Sequence, residues 1–513
     1  MTTSQTAEAE IIVLADKTLG RIEGPLWGQF IEMCGRGVNG GIYDPGSPRS
    51  RADGVREDVL EALKELRPTH LRYPGGCASA YFDWQELVGP KESRPRAKLY
   101  RNFNLPQSTE FGIPEAWSYA NELGAELYFA VNAHTQSPED AANLVEYLNA
   151  DTPTKWADLR RSHGREKPYG IRLFGLGNEI YGDWQAGQKT AKEYTAWCRE
   201  AIRQMKAVDP NIETICVGNG RPNPDWDREV LNGLIDCIDM ISVHNYCGRP
   251  LFRDNMAASR IYEQIFNAAN VAVDEALDAN LSRRERPKLA FDEWNVWYRY
   301  RQIRRPEPDV EETFNFGDAL TIATIFHVLL RNTKTVALSN IAQAVNVLGV
   351  LTTSPDDMIK QSIFFPHKLF RDCHSGRAVE TVVDAPVFSA KHERFFNGVI
   401  DPETAKDETQ PSLLHFDDIS ALDVLTTIDD DQKRMAISVV NKLEDRALST
   451  RLSLRGVIPH SNQVKVHRLS GSSVEAANTF EKPDEVGLSV EIRDVGEVFE
   501  FPPASLTLLE FEL

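Results

Sequence analysis

No stretch of this 513-residue chain approaches the roughly 18 to 20 consecutive apolar residues that a membrane-spanning helix needs. The opening Met1-Thr-Thr-Ser-Gln-Thr-Ala-Glu-Ala-Glu10 has neither the basic nor the apolar region of a secretory signal, so a cytoplasmic location is expected. Paired cysteine motifs are missing as well. The seven cysteines, at 34, 77, 198, 216, 237, 247 and 373, are scattered and odd in number, without the CxxC spacing of a zinc site or a disulfide framework, which fits a reduced compartment. Basic charge is also in short supply: 57 Lys and Arg stand against 76 Asp and Glu, a formal net charge of -19. That balance argues against nucleic acid or an anionic membrane as a partner and leaves neutral ligands open. No internal repeat or low-complexity tract stands out, and the polar stretch from Asp401 to Pro411 reads as an exposed loop.

What is present is an alternation. With 42% apolar residues and this length, a large unit with a smaller companion is the natural expectation. From about residue 20 to about 345, short apolar runs alternate with amphipathic stretches, the signature of repeated βα units. The runs are Leu26–Glu32, Thr69–Tyr73, Glu126–Asn132, Ile171–Asn178, Thr214–Gly218, Met240–His244, Leu289–Asp292 and Val336–Asn340, with helical patterns between them such as Pro138–Leu148 and Thr190–Met205. Eight such units predict an α/β fold, a (β/α)8 TIM barrel with insertions. After about residue 375 the helical period gives way to alternating strands, for example Met435–Asn441, Ser449–Leu454, Val464–Arg468 and Ser505–Glu512, which read as a β-sandwich. The early run Glu10–Ala15 could add a strand to that sandwich. The expected division is a barrel over 18–375 and a jelly-roll-like β-sandwich from 1–17 and 376–513.

Two glutamates end apolar runs: Glu179 closes Ile171-Arg-Leu-Phe-Gly-Leu-Gly-Asn-Glu179, and Glu293 closes Lys288-Leu-Ala-Phe-Asp-Glu293. They belong to the fourth and seventh expected strands, at the end of a barrel that carries catalytic groups. A carboxylate at the mouth of a buried strand is costly, and two facing one pocket are what glycosidic bond cleavage uses. Either one alone reads more simply as a loop residue or a helix cap. Asn178 offers an amide for a sugar hydroxyl, or only a turn. A dinucleotide reading of Gly175-Leu-Gly-Asn-Glu-Ile180 fails, because Ile180 replaces the third glycine and an acidic side chain would face the pyrophosphate. Arg72, beside Tyr73-Pro-Gly-Gly76, is placed to orient a catalytic carboxylate, and His244 is either its companion or a satisfied core histidine. Trp297 suits the face of a sugar and ordinary barrel packing equally well.

Taken together these segments resemble the retaining α-L-arabinofuranosidases of glycoside hydrolase family 51. The likeness runs through most of the chain: Gly28-Gln-Phe-Ile-Glu32 with Gly40-Gly-Ile-Tyr43, Leu71-Arg-Tyr-Pro-Gly-Gly-Cys77, Ala130-Val-Asn132, Gly175-Leu-Gly-Asn-Glu179 with Gly182-Asp-Trp-Gln185, Ile241-Ser-Val-His-Asn-Tyr246, Phe291-Asp-Glu-Trp-Asn-Val-Trp-Tyr298 and Asn340-Ile-Ala-Gln-Ala-Val-Asn346. The resemblance implies an exo-acting hydrolase that releases terminal α-L-arabinofuranosyl residues from arabinose-containing oligosaccharides by double displacement. Glu293 would be the nucleophile and Glu179 the acid/base, with a pKa raised while Glu293 is charged. It also implies Glu32, Cys77, Asn178 and Gln343 as ligands of the furanose hydroxyls and Tyr246 as hydrogen-bonded to the nucleophile. No metal or organic cofactor is implied, and a homo-oligomer, often a hexamer, is. In isolation Cys77 would be a buried filler, Tyr246 a core aromatic and Gln343 a polar loop residue. A retaining β-xylosidase or a glucan-cleaving hydrolase on the same scaffold is the nearest alternative. A non-catalytic sugar-binding protein would predict the loss of one carboxylate, and both are present. Gln29, where the family commonly has His, and the continuation Cys77-Ala-Ser-Ala-Tyr81 depart from the pattern and predict a changed pocket edge.

Overall fold

The computed structural model describes residues 7–100, 105–219, 224–281, 284–298, 310–393, 413–496 and 498–513. The stretch 401–411, expected as an exposed loop, lies outside them. All eight predicted runs are strands of one closed barrel: Gly28–Phe30, His70–Tyr73, Glu126–Val131, Leu173–Leu176, Glu213–Cys216, Met240–Cys247, Lys288–Val296 and Val336–Ile341, the last pairing back to the first. They read as continuous apolar runs because helices cover the outside of the barrel while its own side chains fill the inside. Tyr128, Leu173, Ile215, Met240, Ala290 and Leu338 pack into that interior as a floor. Polar residues farther along the same strands therefore stand at the C-terminal mouth.

Several outer helices begin at side-chain caps that also fix the preceding loops. Ser137 and Asp140 cap Pro138–Asn149, and Thr190 and Glu193 cap Ala191–Val208, each through a reciprocal pair of hydrogen bonds. The second cap pins the far end of the long loop that follows the fourth barrel strand.

The other large sheet has nine strands, in the order Gly487–Asp494, Gln463–Ser470, Ser505–Glu512, Arg434–Asn441, Leu422–Ile428, Gly376–Asp384, Ala9–Ile22, Leu448–Arg455 and Val498–Phe501. It folds over its own core of Ile11, Val13, Ile437, Val439, Leu509 and Phe511, and its two edge strands, consecutive in the chain, approach where the Arg493 guanidinium lies 5.2 Å from the centre of the Phe499 ring. A sheet folded over one core in this way gives the sandwich arrangement. Ala9–Ile22 runs antiparallel to Gly376–Asp384 and parallel to Leu448–Arg455, well beyond the short run visible in the sequence.

Helix Phe316–Arg331 lies between barrel and sheet and is buried along nearly its whole length. Phe326 packs against Trp27 and Trp294 on the barrel side. On the sheet side His327 reaches Asp423 and Ser438, and Arg331 donates to Asp423 at 2.9 Å. Among the described residues, no helix is long and apolar enough to cross a membrane.

Candidate active site

The mouth of the barrel collects its functional groups through strand alternation broken at one informative point. On the sixth strand, Ser242, His244 and Tyr246 occupy alternate positions and share one face. On the seventh strand strict alternation would send only one of Asp292 and Glu293 inward. Three steps from Ala290 to Glu293 instead match two steps from Ser242 to His244, so the strand carries an extra residue there. Both acidic side chains consequently reach the interior. Glu179 stands three residues beyond the fourth strand, not at its end, in a left-handed conformation with φ 44°. An L-residue adopts that conformation only at some cost, and the Gly182 amide donating to the Glu179 carbonyl at 2.8 Å holds the turn.

Arg72 is the central tie. It donates from Nη1 to Glu293 Oε2 and from Nη2 to Asn178 Oδ1, each at 2.7 Å. Tyr246 donates to the other Glu293 oxygen at 2.8 Å, and the Trp297 ring stands edge-on to Tyr246 at 5.1 Å. His244 Nδ1 lies 3.1 Å from Glu179 Oε1 and 3.6 Å from Glu293 Oε2. Glu32 accepts from the Ala78 amide and from Gln343 Nε2, both at 2.9 Å. Cys77 accepts from Gln185 Nε2 at 3.0 Å. All ten residues singled out in the sequence thus lie in one connected cluster. Gly76 lets the chain pass this close, since a Cβ there would sit 3.1 Å from Glu293 Oε2.

Gln29 is an exception to the expected pocket edge. Its side chain points away from the mouth, 3.3 Å from His367 Nδ1 in the helix layer, because Gly28 and Phe30 take the inward positions of that short strand. The departure at Gln29 therefore does not reach the site, whereas that at Cys77 does.

Sequence reasoning passed over the groups beneath these residues. Asp292 accepts from Ser242 at 2.6 Å and from Tyr128 at 2.8 Å, and lies 3.3 Å from His244 Nε2 and 3.7 Å from Arg72 Nε. Burial works against its charge, yet Arg72 and His244 outweigh burial and hold the carboxyl well below the usual carboxylate range. Burial likewise opposes the His244 cation, but Glu293 and Asp292 prevail and push it up to about 10. Glu32 goes the other way: burial and then the charge of Glu293 push it up to about 7. His134 accepts the Asn178 amide on Nε2 at 3.2 Å, while Nδ1 lies 3.0 Å from the Ala186 carbonyl. Burial, helped by Lys189, keeps His134 neutral down to about 4. A doubled acidic pair at a strand mouth was the available signal for Asp292; His134 carried none.

The donor atoms of Glu179, His244 and Glu293 are close enough to surround a metal ion. That set is already compensated by the Arg72 guanidinium and a protonated His244, both of which repel a cation. A second cluster, Cys373, His467 and Glu510, has its carboxylate engaged by His467 at 3.0 Å and approached by Lys465 at 3.4 Å.

Comparison with known proteins agrees with this geometry. Residues 62–264 match the model of the α-L-arabinofuranosidase 1 domain, and residues 292–505 that of the α-L-arabinofuranosidase C-terminal domain. The chain is 31% identical to the intracellular exo-α-(1→5)-L-arabinofuranosidase 1 of Bacillus subtilis, covering 98% of this chain and 99% of that protein. It is 33% identical to a probable α-L-arabinofuranosidase C of Aspergillus clavatus, over 99% and 98% of the two chains. The crystal structure of an α-L-arabinofuranosidase from Thermotoga maritima in complex with arabinose superimposes with a TM-score of 0.89 at 31% identity, covering 98% of this chain and 100% of that one. A thermostable family 51 enzyme from Thermotoga petrophila gives 0.88 at 31% identity, over 98% and 99%. The chain belongs to the α-L-arabinofuranosidases of glycoside hydrolase family 51.

Proposed function

We propose that the protein removes terminal α-L-arabinofuranosyl residues from arabinose-containing oligosaccharides with retention at the anomeric carbon, Glu293 serving as nucleophile and Glu179 as acid and then base. The observation that carries this reading is proximity: one carboxylate oxygen of Glu179 lies within 4.8 Å of one of Glu293, and His244 Nδ1 reaches both residues, at 3.1 Å and 3.6 Å. Retaining glycosidases keep their carboxyl groups about 5–5.5 Å apart, whereas inverting ones leave about 6.5–9.5 Å for an intervening water.

In the first half-reaction a Glu293 oxygen bonds to the anomeric carbon as the bond to the leaving oxygen breaks, and the Glu179 proton passes to that oxygen. In the second, Glu179 takes a proton from water, the water oxygen bonds to the anomeric carbon, and Glu293 departs as a carboxylate. Arg72 and Tyr246, one on each Glu293 oxygen, fix the direction of attack. The side-chain nitrogen of Asn178 and the side-chain oxygen of Gln343 are buried without hydrogen-bond partners, which suits them to furanose hydroxyls beside Glu32 and Cys77. Trp297 supplies an apolar wall. The names of relatives from Bacillus and Streptomyces, which describe intracellular exo-acting enzymes, support terminal cleavage and a cytoplasmic location. The family resemblance supports assembly as a homo-oligomer, to be measured by analytical ultracentrifugation.

The test is release of nitrophenol from 4-nitrophenyl α-L-arabinofuranoside beside the β-D-xylopyranoside and β-D-glucopyranoside. Arabinofuranoside preference, lost in Glu293→Ala, is the expected result. Preference for another sugar would sink the substrate assignment, and full activity in both Glu179→Ala and Glu293→Ala would sink the site.

A further inference from the structure

Asp292 lies beneath the reacting carboxylates and exchanges no proton or bond in either half-reaction. It is buried, and two neutral donors fix it: Ser242 at 2.6 Å on Oδ1 and the Tyr128 hydroxyl at 2.8 Å on Oδ2. The same two oxygens face two cations, His244 Nε2 at 3.3 Å from Oδ1 and Arg72 Nε at 3.7 Å from Oδ2. Both nitrogens are buried, and no well-aligned hydrogen bond reaches either. What each gains from Asp292 is therefore its charge, which a neutral side chain of the same shape would not supply. The extra residue between Ala290 and Glu293 is what brings Asp292 in, since strict alternation would turn only one of the acidic pair inward.

The fixed charges here leave a surplus. Arg72 and His244 are cations and Asp292 an anion, each kept charged against burial by its partners, so two positive charges less one negative leave one positive. Tyr128, Tyr246 and Cys77 are neutral, burial disfavouring their ionised forms, and Glu32, raised to about 7, is mostly protonated in mildly acid solution. The surplus matches one negative charge on Glu179 and Glu293 together. Before reaction Glu293 carries it while Glu179 holds a proton. After the first half-reaction Glu293 is an ester, and Glu179, having given its proton to the leaving oxygen, carries it instead. His244 Nδ1 faces both, 3.6 Å from Glu293 Oε2 and 3.1 Å from Glu179 Oε1.

We propose that Asp292 is a positioning residue of the reaction: by holding His244 as a cation between the two glutamates, it lets the negative charge pass from Glu293 to Glu179 as the arabinosyl-enzyme forms. The inference rests on the roles given above to Glu179 and Glu293. Without Asp292 the imidazolium sheds its proton, and Glu179 must carry its charge opposite a neutral ring. Glu179 then holds a proton to higher pH and serves less readily as the base that activates water.

The test is the pH profile of kcat on dinitrophenyl α-L-arabinofuranoside. The activated aryl group leaves quickly, so that hydrolysis of the arabinosyl-enzyme sets kcat, and a burst of dinitrophenol identifies that step. The acid limb then records loss of the proton from the base. In Asp292→Asn, which keeps the shape and removes the charge, the limb should move up by about one pH unit, the size expected for losing one close cation. His244→Gln should give the same shift, and the double variant no more than His244→Gln alone, because one residue acts through the other. His244→Gln also carries the test should Asp292→Asn fail to fold. A limb that stays in place or moves to lower pH in Asp292→Asn overturns the role, as does an unmoved limb in His244→Gln or a double variant whose shift is the sum of the two. Glu179→Ala should abolish the limb; a limb that persists there overturns the assignment of Glu179 as base, a failure of the proposed function and not of Asp292.

Discussion

Glu32 shows how one buried residue can set stability against function. It accepts two hydrogen bonds, yet burial and the nearby Glu293 charge lift it to about 7, against an ordinary value near 4.5. A carboxyl raised on folding contributes stability that is fully present below about 4.5 and lost as pH rises through about 7. Replacing it with the neutral isostere removes that loss. Glu32→Gln should therefore melt at a higher temperature than wild type at pH 8, by roughly 1–3 kcal/mol of stability, with the gap closing toward pH 4.5. Calorimetry at the two pH values decides it, and a variant that is less stable at pH 8 would show that the charged form is the welcome one. The same residue scale holds a test of Glu179. Its proton matters only when the leaving oxygen is a poor leaving group, so Glu179→Ala should lose about 10²–10⁴ in kcat/KM on an arabino-oligosaccharide but far less on a dinitrophenyl arabinofuranoside. Equal losses on both substrates would remove Glu179 from the acid role. These side chains were legible in the sequence because each sits beside glycines and aromatics in a distinctive local pattern. Asp292 was not, since strand alternation alone hides an extra residue that turns two neighbours the same way.

At the scale of elements, the loop over 177–189 is held from three directions. Thr190 caps the helix that follows, Lys189 donates to the His134 carbonyl at 2.7 Å, and His134 accepts the Asn178 amide. His134 is buried and acts through the backbone that aims Asn178 and Glu179. His134→Leu should lower kcat about tenfold to a hundredfold with a smaller change in KM, since a displacement of about 1 Å at reacting groups has effects of that size. His134→Gln, which keeps an acceptor, should recover part of the loss. If kcat stays at the wild-type value while only the melting temperature drops, the clamp is structural alone. The barrel strands were readable because burial on both faces makes each one a dense apolar run bounded by turn residues. Strand ends were less so: the fourth stops at Leu176, before the glycine and Asn178 that continue its apolar look. The long edge of the sandwich was harder still. Ala9–Ile22 joins partners more than 350 residues away, and its second half, Asp16 to Ile22, mixes charged and apolar residues because irregular pairing there breaks the alternation.

Across the whole molecule, the histidines make acid the weak side of stability. Six of the eleven are buried in the neutral form: His70, His134 and His392 are lowered to about 4 and His367 to about 3, with His327 and His374 also lowered, burial being the leading cause in each. They are spread over the barrel interior, the loop beneath Asn178, the helix layer, the two-stranded sheet that holds His392 and the seam where His327 and His374 both reach Ser438. A group lowered on folding contributes stability that is present above its unfolded value and lost as pH falls toward its folded one. For His70, His134 and His392 that window runs from about 6.5 down to about 4, and for His367 down to about 3, each contributing a slope of about 1.4 kcal/mol per pH unit within it, while His327 and His374 act in the same direction. Glu32 works in the opposite sense between about 4.5 and 7, but a single carboxyl is outnumbered. His244, raised to about 10, adds stability that is full below 6.5 and is lost progressively as pH rises from there through 10. The melting temperature should accordingly peak near neutrality and fall by several degrees or more by pH 5, together with the unfolding of barrel and sandwich as one unit, because their seam holds two of the six histidines. The double variant His327→Gln with His374→Gln should melt lower at pH 7 but lose less on going to pH 5. A wild type that melts at the same temperature at pH 5 and pH 7 would mean that these rings open to water before the fold does.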